Sequence, residues 1–331
     1  MIIAMHAAQA SEAVVTAAVG SGVTITSADE RFSMNLRGRV QLRETLVVGA
    51  PEGEVPRELA SQAQVQTARL TLRGHTLSED LRYTVQLAFS QRDYRDGTVS
   101  PLYDAYLDAA ASRDLSVRVG QMFVPFDRLR TIREFALQLP NRPRVVSELT
   151  LDRDVGVVAS SDHLGGDRSV LAYRLGAFGG GGPNTAAPRE LGGLLVGRVE
   201  LRPLGPLDDD SEGDLERRRA PGLALGMGAA YNVNASRVRS TTSTVFEGGT
   251  VDYLHLCGDA VFKVRGFAVA SEVVLRDAAD DRIVSIDDAG TARVEYARSG
   301  WGVVVQPSMM LTPRGVRIRW CELTTQERPA S

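Results

Sequence analysis

Hydrophobic and polar residues alternate along much of this chain with a period of two. Such alternation predicts β-strands with one apolar face and one polar face. The clearest run sets Phe32, Met34, Leu36, Gly38, Val40 and Leu42 against Ser33, Asn35, Arg37, Arg39 and Gln41. Further runs lie at about 67–72, 81–89, 103–109, 115–123, 154–161, 168–178, 193–202, 222–234, 250–263, 265–276 and 291–311. The pattern therefore predicts an all-β protein with antiparallel strands.

Alternation occurs both in soluble sandwiches and in membrane barrels, so the character of the polar face decides between them. That face carries repeated arginine, which a dry core does not accommodate without partners. The apolar face is then expected to point at lipid. No apolar stretch is long enough for a membrane-spanning helix. The lipid-facing residues predicted in this way are Phe32, Leu36, Val40, Tyr83, Leu87, Leu254 and Phe262.

The connections between the runs alternate in length, as they do in bacterial outer-membrane barrels. The short turns are 78–80, 112–114, 164–167 and 265–266. The long links are 49–61, 91–101, 125–152, 179–192, 235–249 and 277–290, and the link 202–221 is long although it falls on the short side. The third long link, 125–152, is the longest of the six on the long side.

Composition and charge narrow the class of protein further. The chain has 331 residues, of which 43% are hydrophobic and 24% charged, with a net charge of −3 that argues against a nucleic-acid binder. Cys257 and Cys321 are too few for a disulfide framework. Lys263 is the only lysine among 38 basic residues. Either the composition of the genome or the bidentate grip of guanidinium on oxyanions explains this bias.

The two ends of the chain lead us to expect that part of an export signal and several barrel strands are missing. Residues 1–10, MIIAMHAAQA, read as the remnant of an export signal, with an ordinary frayed terminus as the alternative. We expect a periplasmic segment at 11–30, the barrel at 31–320 and an irregular tail at 321–331. About twelve strands and a short thirteenth at Gly315–Trp320 can be counted. Because bacterial barrels close with an even number of strands, we expect a truncated barrel.

The segment after the fifth run carries a resemblance to a known family. Its residues are Gly120, Gln121, Val124, Pro125 and Phe126, followed after the long link by Arg153, Asp154, Val155 and Gly156. In this order and spacing, over roughly residues 30–315, the chain resembles the phosphate-selective porin O and P family. The resemblance implies a sixteen-stranded, trimeric outer-membrane barrel that passes anions. Compared with sixteen strands, the chain is expected to lack about three. It also implies that the third external loop, here 125–152, folds inward and narrows the pore.

The chain departs from that family in its lysines. Phosphate-selective members use lysines in the channel, whereas this chain has one lysine, and Phe123 stands where the family often has another. Phosphate selectivity is therefore not implied, although phosphate-like oxyanions are compatible with a general preference for anions. The expected partners are small anions and outer-membrane lipid, with a homotrimer if the full barrel forms.

Arginines supply the candidate solute-binding residues. Six of them, accompanied by the acids Asp127, Glu134, Glu148 and Asp152, lie on or beside the long link: Arg128, Arg130, Arg133, Arg142, Arg144 and Arg153. They form either a constriction that replaces part of an anion's hydration shell, or a salt-bridged loop fixed to the barrel wall. A second set is expected to line the lumen: Arg37, Arg39, Arg69, Arg118, Arg174 and Lys263.

Enzymatic chemistry has little support. The four histidines, at positions 6, 75, 163 and 255, show no metal-ligand spacing, and the Gly-x-Ser-x-Gly and phosphate-loop motifs are absent. We expect no enzyme and no cofactor. The function predicted from sequence is an outer-membrane porin for small anions, and the alternative is a structural or adhesive barrel.

Overall fold

A computed structural model describes residues 13–49, 59–90, 93, 101–164, 166, 169–185, 190–207, 211–286, 290, 292–311 and 317–319. The chain divides into two compact units, residues 1–109 and 110–331. Both are antiparallel β-structure, which confirms the predicted all-β class. Among the described residues, no helix has the length and apolar character needed to cross a membrane. The expected export-signal remnant at 1–10 and the tail at 321–331 lie outside the described residues.

The first unit is an antiparallel sheet in which each strand pairs with the next in sequence. Its strands are β1 (Val14–Ala18), β2 (Gly22–Thr26), β3 (Phe32–Val48), β4 (Leu59–Thr76), β5 (Ser78–Ala88) and β6 (Leu102–Ser112), the last of which runs three residues past the unit boundary. The predicted apolar face is exposed: Phe32 is 41% and Val40 67% accessible. Phe32 also stacks on Tyr83 of the same face at 6.4 Å.

Residues 13–30, which belong to the segment expected to be periplasmic, contain β1 and β2. These strands pair with each other, and β2 pairs with β3 through Val23 opposite Leu36. Each strand has five residues, which is too short for alternation to stand out. The turn between them relies on Gly20 and Gly22, whose φ angles of 80° and 83° suit glycine.

The second unit contains a larger antiparallel sheet with the order β7-β8-β9-β10-β11-β14-β15-β18-β19. Its strands are β7 (Leu115–Phe123), β8 (Arg153–Leu164), β9 (Leu171–Phe178), β10 (Gly193–Leu201), β11 (Gly222–Ala235), β14 (Val251–Val264), β15 (Phe267–Ala278), β18 (Gly300–Met310) and β19 (Arg317–Arg319). Two hairpins occupy its long links: β12 (Arg237–Arg239) with β13 (Thr242–Val245), and β16 (Arg282–Ile286) with β17 (Ala292–Tyr296). The single run predicted at 291–311 is therefore two strands, β17 and β18.

Burial in this sheet is the reverse of that in a soluble protein. On β14, Tyr253 and His255 are fully buried, whereas Leu254 and Leu256 are 39% and 44% exposed. Phe262 is half-buried on the same apolar face, and Lys263 is buried on the polar one. An apolar face that stays uncovered beside a polar face that is buried is the arrangement of strands in an outer-membrane barrel.

A small apolar cluster lies at one end of the sheet, among the links that carry the two hairpins. It consists of Ala235, Phe246, Val251, Tyr253, Ala278 and Ala297. The Tyr253 hydroxyl donates to the Val238 carbonyl at 2.7 Å. These contacts anchor the hairpins at the strand ends and leave the buried polar face of the sheet to residues 124–152.

Candidate functional site

Residues 124–152, which we call the covering segment, lie against the buried polar face of the second unit's sheet. The segment contains α1 (Arg128–Thr131), a 3-10 turn at Glu134–Ala136 and α2 (Arg144–Leu149). Its ends meet where the Val124 N–H donates to the Asp152 carbonyl at 3.0 Å. Its apolar side chains, among them Phe126, Val146 and Leu151, are fully buried.

Glycines of β11 let the segment approach the sheet. A Cβ at Gly228 would collide with the backbone carbonyl of Phe126, and one at Gly226 would collide with the side chains of Arg198 and Asp259. The absence of a side chain at Gly226 therefore leaves space in which Arg198 of β10 and Asp259 of β14 meet. This is a close approach that requires glycine for space rather than for φ.

Arg128 of α1 lies at the centre of a buried ion-pair network. Its Nε donates to Asp259 Oδ1 at 2.7 Å, and its Nη2 donates to Glu200 Oε2 at 2.5 Å. Arg198 donates to Asp259 Oδ2 at 2.6 Å, and Arg202 donates to Glu200 Oε1 at 2.7 Å. Since the side chain of Arg128 is 3% exposed, an anion could reach it only by displacing carboxylates that already hold it.

Other contacts fasten the rest of the covering segment. The Gln138 N–H donates to Glu212 at 2.6 Å, and the Gln138 side chain donates to Ser308 at 2.9 Å. At α2, Arg276 of β15 donates to the Glu148 carbonyl at 2.6 Å. The Asp152 N–H donates to Thr241 at 2.9 Å. The segment is thus attached near its start, at its middle and at its end.

The candidate arginines of this segment, together with Arg153 at the start of β8, differ in their contacts and exposure. Four are tied to the protein: Arg128 as above, Arg130 to Asp152 at 2.6 Å, Arg142 to the Leu129 and Ile132 carbonyls, and Arg153 to Asp152 at 3.3 Å and to the Phe123 ring at 3.6 Å. Arg133 and Arg144 are exposed. Arg133 makes no side-chain hydrogen bond or ion pair with any residue that the structure describes.

Burial perturbs two titrating groups of the segment. Desolvation and the positive charge of Arg130 lower the pKa of Arg142. Desolvation raises the pKa of Asp127, although Arg130 and Arg198 partly offset this. Asp127 also caps α1 by accepting from the Arg130 N–H at 3.0 Å. On the buried side of the segment, desolvation therefore disfavours the charged forms of Asp127 and Arg142. The charged groups on the exposed side remain in contact with water.

The residues predicted to line the lumen are placed as follows. In the first unit, Arg69 is buried, forms an ion pair with Asp93 and lies 4.1 Å from the Tyr103 ring centre; Arg39 is half-buried opposite it, and Arg37 is exposed. In the second unit, Arg118 is half-buried, Arg174 pairs with Asp162 at 2.7 Å, and Lys263 donates to the Ser211 carbonyl at 2.7 Å.

The motif residues that carry the family resemblance have structural roles here. Gln121 accepts from the Asn184 N–H at 3.0 Å. Asp154 accepts from the N–H groups of Val155 and Gly180 at 2.7 and 2.6 Å. These hydrogen bonds hold the link after β9 against β7 and the start of β8, and all of them are made within the protein.

Five buried charged residues of the sheet are not among the candidates predicted from the sequence: Glu200, Asp259, Glu272, Arg198 and Arg276. The sequence does contain a signal for them, because each residue occupies a polar position of an alternating strand. Ligand atoms of Cys257, Asp259 and Glu272 lie within 4.8 Å of one another. However, both Asp259 oxygens are held by guanidinium groups, whose charge opposes a cation, and we assign no metal site there.

Comparison with known proteins returns structural similarity alone. No protein-family model matches the chain, and no curated protein matches it. One similar structure is the in-vitro folded OmpT, an outer membrane protein of Vibrio cholerae, in its trimer form, with 10% identity, a TM-score of 0.36 and 85% of each chain covered. Another is the outer-membrane expressed OmpT of Vibrio cholerae, with 9% identity, a TM-score of 0.34, and 85% of this chain and 83% of that chain covered.

The strands themselves indicate the environment of the protein. On β10, β14 and β15, exposed leucine and valine side chains alternate with buried charged ones. On β10, for example, Leu195 and Val199 are exposed, whereas Arg198 and Glu200 are buried. A hydrocarbon surrounding stabilises such an outer face, as it does for the antiparallel strands of bacterial outer-membrane barrels. The protein is an outer-membrane β-barrel protein.

Proposed function

We propose that the protein is an outer-membrane channel for small anions, in which exposed arginines of the covering segment contact the solute. The observation that carries this is the position of Arg133, which is exposed on a segment otherwise fixed to the polar face of the sheet. Guanidinium keeps its charge at any working pH and binds oxyanions through two parallel hydrogen bonds. Arg144 is exposed on the same segment and supplies a second positive charge.

The resemblance to phosphate-selective porins supports the same proposal and extends it to assembly as a homotrimer. The rigid attachment of the covering segment fits a passive channel, because a fixed constriction discriminates between solutes by charge and size. On this proposal, the buried network around Arg128 shapes the constriction, and only the exposed arginines contact anions. The solute class is small oxyanions without further specificity.

Reversal potentials in planar bilayers test the proposal. Replacing Arg133 with glutamate changes a solute-facing charge from positive to negative. For a monovalent anion about 5 Å from that charge in water, the interaction energy changes by about 1.7 kcal/mol before salt screening. We therefore expect the ratio of anion to cation permeability to fall several-fold in Arg133→Glu, and further in Arg133→Glu with Arg144→Glu. Arg113→Glu, at an exposed turn, is the matched control and should leave the ratio unchanged.

Two results would contradict the proposal. If Arg133→Glu conducts with the parental reversal potential, this arginine does not contact the permeating ion. If the folded parent protein conducts no ions at all, the structural or adhesive barrel is the better description.

A further inference from the structure

Two carboxyl groups face each other where the covering segment meets the sheet. Asp127, at the start of α1, is 1% exposed, and Glu272 of β15 is 2% exposed. One oxygen of each has a donor: Asp127 Oδ2 accepts from the Arg130 N–H, and Glu272 Oε2 accepts from the Leu129 N–H, both at 3.0 Å. The remaining oxygens, Asp127 Oδ1 and Glu272 Oε1, have no donor among the described residues.

The two carboxyl groups are close neighbours, because they accept from the consecutive backbone N–H groups of Leu129 and Arg130 in the first turn of α1. Ionised carboxylates are acceptors only, so a hydrogen bond between two of them requires a proton on one. Two buried carboxylates at hydrogen-bonding distance cannot both ionise without a large repulsive cost. A single shared proton satisfies both remaining oxygens at once.

The charges around the pair do not replace that proton. From the segment, Arg130 is committed to Asp152, and Arg142 to backbone carbonyls. From β10, Arg198 is held by Asp259 of β14, which adds a further negative charge beside the pair. Cys257 of β14 also faces the site, and its thiol supplies no positive charge.

Neither Asp127 nor Glu272 takes part in an ion pair of the described residues, whereas Glu200 and Asp259 share Arg128 and Arg198. The buried acids in this region are therefore divided into a pair neutralised by arginine and a pair without a cation. We infer that Asp127 and Glu272 form a buried proton-binding site that fastens the covering segment to the sheet.

The sign of the pH dependence follows from which state holds the proton. The attached segment binds it, because detachment would let both carboxyls ionise in water. Attachment is therefore complete at acidic pH and weakens as the pH rises and the proton leaves to solvent, since two negative charges then face each other. Burial raises the pKa of Asp127, which agrees with a proton that is bound in the attached state. The site does not depend on whether the protein conducts anions.

Infrared difference spectroscopy of the full chain in lipid vesicles tests the site directly. Spectra are compared between about pH 5.5 and about pH 9, a range in which ordinary carboxyl groups are already ionised. The parent protein should show the carbonyl band of a protonated carboxyl group at the lower pH and lose it at the higher. Glu272→Gln should lack the band, and Glu134→Gln, an exposed carboxylate of the same segment, should keep it.

Hydrogen exchange of residues 124–132, compared at equal pH, links the proton to attachment. Parent and Glu272→Gln should exchange alike at the lower pH, and the parent should exchange several-fold faster at the higher pH, because the glutamine amide still donates to Asp127. Asp127→Asn is the second variant if Glu272→Gln does not fold. A parent without the band, as when a metal ion bridges two carboxylates, would overturn the inference, as would a band that survives in both variants.

Discussion

Arg128 and Arg133 belong to one short stretch of chain, yet their surroundings are opposite. Arg128 is held between Asp259 and Glu200, and Arg133 is exposed. The sequence predicted that arginines of this segment would either bind anions or form salt bridges, and it could not assign them one by one. The reason is that the partners of Arg128 lie 72 and 131 residues away, on strands whose position depends on the whole sheet.

Replacing Arg128 with methionine tests this difference in stability. Removing one member of a buried ion pair leaves charges without compensation and costs about 3–5 kcal/mol. We expect Arg128→Met to lower the free energy of unfolding by about that amount, measured by urea titration in detergent micelles or vesicles. Arg133→Met, an exposed change of the same residue type, should stay within about 0.5 kcal/mol. Equal effects of the two substitutions would contradict the assigned network.

At the scale of a strand, local alternation carries most of the information. The run from Phe32 to Leu42 predicted both β3 and its exposed face, because side chains on a strand alternate whatever the partner strand is. The same rule located β5, β7, β14 and β15. It missed β1 and β2, whose five residues give too few repeats, and it merged β17 with β18, which are separated by only three residues.

Strand β3 also offers a depth test of the membrane assignment. The strand has 17 residues, more than the roughly 9–11 that cross a bilayer. With a rise of about 3.4 Å per residue and a tilt of about 40°, Leu36 lies about 10 Å above Phe32 and Leu46 about 36 Å above it. An apolar band about 25 Å tall that begins near Phe32 thus contains Leu36 close to its midplane and leaves Leu46 outside.

We therefore expect Leu36→Arg to reduce the free energy of unfolding in vesicles by about 2–4 kcal/mol, and Leu46→Arg by less than about 1 kcal/mol. Both side chains are exposed on the same face of the same strand, so the comparison isolates depth in the membrane. Refolding into bilayers, followed by tryptophan fluorescence, provides the measurement. If both variants were equally stable, the outer face of β3 would not lie in hydrocarbon.

At the scale of the whole molecule, the contacts of the covering segment described above all fall on the second unit. They reach β10, β14, β15 and β18 through Arg128, Leu129 and Gln138. A segment attached in this way stabilises the strands that supply its partners, because their buried charges are satisfied by it. Strands of the first unit have their own pairing and their own ion pair at Arg69.

The corresponding prediction concerns a chain in which residues 128–149 are replaced by a glycine–serine linker. Glu272 would lose the Leu129 donor, and Asp259 and Glu200 would lose Arg128, so amide hydrogen exchange should accelerate in β10, β14 and β15 and remain unchanged in β3–β5. Replacing residues 282–296, another long connection of the second unit, is the control and should leave these strands protected. Mass spectrometry of exchanged peptides resolves the strands separately. If β3–β5 lost protection as fast as β14, the segment would stabilise the molecule as a whole and not through the partners named here.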